Sequence, residues 1–167
     1  LRHSPWTTAL ARRQLHYLSP TGGSSQTATL RVSEAPRSVM GMATITTEVA
    51  TTARWDDVQH ALTGGGDGAS CQCLWPVLSN KDWNATSAPQ RAELFRAEIE
   101  EGPPPGIIAY VDGEAAGWIR IGSRIRHARI PRTRTIAAAS TEPFDDDSVW
   151  AVTCFVVRRE HRGTGLT

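Results

Sequence analysis

The amino-acid sequence predicts a mixed α/β domain. Three features of its 167 residues carry that reading: a β-prone segment leading into an amphipathic helix, an Asp-Gly turn between two apolar runs, and an apolar stretch near the end. Residues 44–49 are rich in β-branched side chains and suit a first strand. Trp55, Val58 and Leu62 then fall at i, i+3 and i+7, one face of a short helix that Gly64-Gly65-Gly66 must end. Ser87, with Gln90 three residues later, makes a capping box. Ala88, Ala92, Phe95 and Ile99 line one face of this second helix as far as Gly102, where Pro103-Pro104-Pro105 stops it. Residues 107–111 and 116–121 flank Asp112-Gly113-Glu114, and Asp-Gly supplies the positive φ angles of a tight hairpin. Residues 124–138 hold five arginines and no acid, and read as a long loop; acids return as Glu142 and Asp145-Asp146-Asp147. Residues 149–157 are nearly apolar on both faces, the pattern of a strand covered on both sides in the middle of a sheet.

Composition bounds the function. Hydrophobic residues make up 40% and charged residues 21%, which excludes a wholly disordered or fibrous chain. A net charge of +1 gives no global attraction to nucleic acid or to a membrane surface. No apolar run approaches the roughly 20 residues that span a bilayer. Three cysteines are too few for a disulfide scaffold and fit a reducing compartment, the cytoplasm.

Charge is unevenly spread. Residues 1–41 contain five arginines and one acid, Glu34, among Ser, Thr and Gly, with no sustained apolar period. This leader reads as disordered, or as a misassigned gene boundary, because the chain starts at Leu1 while Met40 and Met42 directly precede the first patterned segment. Its composition also matches an organelle transit peptide, but a clear amphipathic helix is lacking.

After residue 157 the chain reads Arg158-Arg159-Glu160-His161-Arg162-Gly163-Thr164-Gly165-Leu166-Thr167. A strand running into a Gly-rich turn with basic flanks is a phosphate-binding geometry, since small residues let backbone N–H groups approach an anion. Two glycines alone also fit an ordinary turn, and neither G-x-G-x-x-G nor G-x-x-x-x-G-K-[ST] is present here.

At this point the sequence resembles the GNAT superfamily of N-acetyltransferases. The family signature, Arg or Gln, two residues, Gly, one residue, then Gly or Ala, is met by Arg162-x-x-Gly165-x-Thr167, with Thr167 departing at the last place. The order of elements from residue 43 onward matches the first half of that fold. Residues 149–157 and Cys71-Gln72-Cys73-Leu74-Trp75 look like a bacterial, actinobacterial-style branch. The resemblance implies a central mixed, mostly antiparallel sheet with flanking helices, cut after the fourth strand. It implies that the backbone of Phe155, Val156 and Val157 holds the pantetheine arm and thioester of acetyl-CoA. The amides of Arg162, Gly163, Thr164, Gly165, Leu166 and Thr167 would take the pyrophosphate. Acetyl-CoA is then a co-substrate, and the acetyl group passes directly to an amine of a small molecule or peptide, without a metal. A homodimer is compatible with this. In the family the next helix and the Tyr acid lie downstream of the signature, so the activity implied is that of a longer parent and residues 1–167 alone should be inactive. No catalytic base or acid is assigned.

Other residues carry weaker signals. Cys71-x-Cys73 with His60 is narrower than zinc spacing, and no metal centre is expected. Cys71, Cys73, Trp75 and Trp83 read as a wall of the acceptor pocket or as core. Arg124, Arg126, Arg129, Arg132 and Arg134 either recruit an acidic acceptor or the CoA 3′-phosphate, or form a solvated loop. The acids at 145–147 either orient an amine or are simply exposed, and His161 reads as a surface residue. The competing class is a non-catalytic module that binds nucleic acid through the basic leader and the Arg loop. It lacks interleaved aromatics, so no nucleic-acid partner is expected.

Overall fold

The computed structural model describes residues 43–166; the leader (residues 1–41) and Thr167 lie outside the described residues. Strands β1 (Ile45–Val49), β2 (Gly106–Val111), β3 (Glu114–Ser123) and β4 (Trp150–Val157) form one sheet in the order β1-β2-β3-β4. Each neighbouring pair is antiparallel, which with the flanking helices is the expected mixed α/β class. Asp112 (φ 51°) and Gly113 (φ 86°) turn the hairpin between β2 and β3 with the backbone sign a tight turn requires. The Asp112 carboxylate accepts from Thr44 N at 2.8 Å, which ties the start of β1 to that turn.

Among the described residues five helices flank the sheet, two of them supplying its packed face. They are α1 (Trp55–Thr63), α2 (Gly68–Cys71), α3 (Asn80–Asn84), α4 (Ala88–Glu101) and α5 (Arg134–Ala139). Val58, Ala61 and Leu62 of α1 and Phe95 and Ile99 of α4 pack on Ile108, Tyr110 and Trp118 of the sheet. The Phe95 ring meets Trp118 edge-on at 5.5 Å and Trp55 at 5.8 Å, a geometry aromatic pairs favour. Helix α4 begins at the expected capping box, where Gln90 Oε1 accepts from Ser87 N at 2.8 Å. Helices α2 and α3 were not expected; α3 starts where Ser79 Oγ accepts from Asp82 N at 3.2 Å. Among the described residues, no helix is long and apolar enough to cross a membrane.

Two expectations are corrected. Among the described residues the strand near the end of the chain is the outer strand of this sheet, which agrees with the expected sheet cut after its fourth strand and not with the central position that its apolar pattern alone suggests. Trp150, Val152 and Phe155 are 66%, 57% and 53% exposed. A bulge causes the pattern. Cys154 pairs with Arg120 and Val152 with Ile121, so Thr153 is an extra residue and the inside-outside alternation changes phase there. Cys154 and Val156 therefore pack towards the core. The apolar sequence reports what the faces are made of, not what lies over them.

The second correction concerns residues 124–138. They form two 3₁₀ turns, Arg124–Arg126 and Ile130–Arg132, followed by α5. Ile130 is buried and anchors the segment, but each piece is too short to leave a helical period in the sequence.

Candidate cofactor site at the end of β4

Beyond Val157 the chain makes one more sheet contact, Arg158 N to Ala116 O at 2.9 Å, before a 3₁₀ turn at Arg159–His161. Arg162, Gly163, Thr164 and Gly165 then form an exposed turn, and Leu166 is half-buried. Gly163 and Gly165 have φ of 78° and 91°, in the left-handed region that glycine adopts without strain. A Cβ at either would meet no atom within 4 Å, so conformation rather than space calls for glycine. Thr164 Oγ1 donates to His161 O at 2.6 Å and Arg162 Nε to Val157 O at 3.2 Å, which fold the turn back on the strand.

Five of the six residues expected at the pyrophosphate are thus contiguous in one turn, and Thr167 lies outside the described residues. The three strand residues divide. Phe155 is exposed on the sheet face away from the helices, Val156 packs towards the core, and Val157 is buried. The Val157 carbonyl is engaged by Arg162, at a place where the resemblance puts the pantetheine arm. The outer edge of β4 carries no strand among the described residues.

The glycine triplet that ends α1 lies against this turn. Arg159 N donates to Gly64 O at 3.1 Å, and Arg158 Nη1 to His60 O at 2.5 Å. A Cβ on Gly64 would stand 2.7 Å from Arg158 Cα, and one on Gly65 would stand 3.2 Å from Arg162 Nη2. The triplet read as a helix stop therefore also admits the arginine-rich segment. The guanidinium groups of Arg159 and Arg162 lie beside Gly65, whereas that of Arg158 is engaged by Glu160.

The other candidates are structural. Cys73 and Leu74 are core residues. A hydrogen bond with Cys154 pushes the Cys73 thiol well above its ordinary pKa, and the same bond holds Cys154 below its own. The Arg129 guanidinium lies 4.7 Å from the centre of the Trp75 ring and 5.8 Å from that of Trp83, and donates to Leu78 O at 2.9 Å and Asn80 Oδ1 at 2.5 Å. Arg91 stacks on Trp83 at 3.6 Å. Arg124 is buried and donates to Glu142 O and Pro143 O. Two arginines of the supposed solvated loop are therefore fasteners. Asp146 accepts from Ser148 N at 2.9 Å and Ser148 Oγ at 2.6 Å, which lowers its carboxyl pKa.

Sequence reasoning missed a buried ion pair between Glu98 and Arg120, with Arg126 Nη2 at 3.8 Å from the same carboxylate. Its signal was present: Glu98 follows Phe95 by three residues on the buried stripe, and Arg120 follows Trp118 by two in β3. It also missed that Glu114, Glu160 and His161 come together beside the Arg162 turn.

No protein-family model matches this chain, and no significant match is found among curated proteins or solved structures. The site must be read from its own geometry.

Proposed function

We propose that this protein is the core of an acetyl-CoA-dependent N-acetyltransferase. The observation that carries the reading is the exposed turn Arg162-Gly163-Thr164-Gly165, with two left-handed glycines, placed one 3₁₀ turn after a strand whose outer edge is open among the described residues. Successive N–H groups in such a turn form an anion-binding concavity, and Arg159 and Arg162 add positive charge around it. The open edge of β4 offers main-chain groups to an extended amide-containing arm. In the reaction, the acceptor amine attacks the thioester carbon, the C–S bond breaks, and CoA leaves as thiolate. A backbone N–H stabilises the oxyanion and the amine gives up its proton to a base. The cytoplasm suits an enzyme whose three cysteines are all unpaired.

Nucleic-acid binding through the arginine-rich segment is the weaker reading, because Arg124 and Arg129 are spent on carbonyl groups within the fold. Calorimetric titration of the full chain with acetyl-CoA tests the proposal. Saturable binding is expected, weakened about tenfold or more in Gly165→Asp, which places a negative charge and a strained backbone in the turn. Unchanged affinity in the folded variant removes the turn from the site. No binding by the unmodified chain overturns the reading.

A further inference from the structure

Glu114 is remote in sequence from Glu160 and His161 and meets them beside the Arg162 turn, with His60 on its other side. His60 lies in the last turn of α1, Glu114 opens β3, and Glu160 and His161 lie in the 3₁₀ turn after β4. Glu114 is the hub: its Oε1 is 3.2 Å from His60 Nε2 and its Oε2 is 3.6 Å from His161 Nε2. One donor atom from each of Glu114, Glu160 and His161 lies within 4.8 Å of the others. An ion held by metal–ligand bonds of about 2.1 Å needs its donors roughly 3 to 4 Å apart. Glu160 is exposed, and Arg158 engages its Oε1 from Nε at 2.7 Å and from Nη2 at 2.5 Å.

Two features separate this group from an ordinary surface ion pair. It is a mixed nitrogen and oxygen set, one imidazole with two carboxylates, and an imidazole donor suits zinc-type ions rather than calcium or magnesium. In addition, His161 Nε2 is sealed from solvent and makes no hydrogen bond, and 3.6 Å to Glu114 is too long for one. With both imidazoles neutral the four side chains carry two negative charges. Arg158, 2.5 Å from Glu160 Oε1, offsets one of them.

We propose that Glu114, Glu160 and His161 form a binding site for a divalent transition-metal ion of the zinc type, with His60 positioning the Glu114 carboxylate from 3.2 Å. The ion joins the start of β3 to the segment leading into Arg162, so it fixes the base of the glycine turn. This inference does not depend on the acetyl-CoA reading.

The test is titration of the tag-free full chain with Co(II), followed by visible absorption and by competition with Zn(II), alongside thermal melts. Saturable d–d absorption displaced by Zn(II), and a melting temperature that rises with either ion, are expected. Affinity should fall about tenfold or more in His161→Ala and in Glu114→Gln. Glu114 is exposed, so the second variant keeps the test valid if the first folds poorly. Absence of saturable absorption, equal affinity in the unmodified chain and the Glu114 variant, or an intense near-ultraviolet thiolate-to-cobalt band that places the ion on cysteine would each overturn the site.

Discussion

His127 is buried behind the sheet, with Nδ1 3.1 Å from Ser123 O and Nε2 without a hydrogen bond. Burial, and then the positive charge of Arg120, push its pKa down from 6.5 to about 4. The unfolded imidazole takes up a proton near pH 6.5 that the folded protein refuses until about pH 4. The contribution to stability is therefore complete above pH 6.5 and is lost as pH falls towards 4. It amounts to about 3 kcal/mol over that window, at about 1.4 kcal/mol per unit. Urea unfolding of the unmodified chain and of His127→Gln should show the variant with the flatter pH dependence; parallel curves would clear His127 of the role. Neither this histidine, nor the burial of Arg124, nor the carbonyl partner of Arg129 was legible in the sequence. An arginine-rich, acid-free run looks solvated, and it is the carbonyls of Leu78, Glu142 and Pro143, remote in the chain, that draw these side chains inward.

At the scale of elements, what could be read was what is local. The Ser87–Gln90 capping box and the Asp112-Gly113 turn depend on neighbours within three residues, and both formed as expected. Helices α2, α3 and α5 are four to six residues long, too short to show a period in the sequence. The phase change at Thr153 is likewise set by the partner strand, so composition could not reveal it. The coupling of α4 to β3 rests partly on the Glu98–Arg120 pair, which is almost wholly buried. Removing one member leaves the other charge without its partner in the interior. Glu98→Ala should therefore cost about 3 to 5 kcal/mol, and Glu98→Leu combined with Arg120→Met clearly less. Chemical denaturation decides it: a double variant that loses as much as the single one would mean that packing, not charge, sets the cost.

Among the described residues the helices pack on one face of the sheet. Val49, Ile107, Ile119 and Phe155 are register partners across all four strands, and they alternate with core residues such as Ile108 and Trp118. Their row, with Val152 and Trp150 on the outer strand, forms an apolar band on the face away from the helices. The apolar character of β4 was plain from residues 149–157, whereas its cover was not, since no pattern within a strand states what packs on it. Covering a large apolar side chain contributes about 1.5 to 3 kcal/mol, so several such residues left in water give a strong incentive to associate. An outer strand with an open edge adds a backbone template for the same contact. The chain should bind an apolar dye and self-associate with rising concentration in sedimentation velocity. Replacing Trp150 and Phe155 by Thr should suppress both and leave the helix-covered core, and hence the cooperative melt, in place. A chain that remains monomeric at high concentration and binds no dye, or a variant that associates as before, would show that this face is not what drives association.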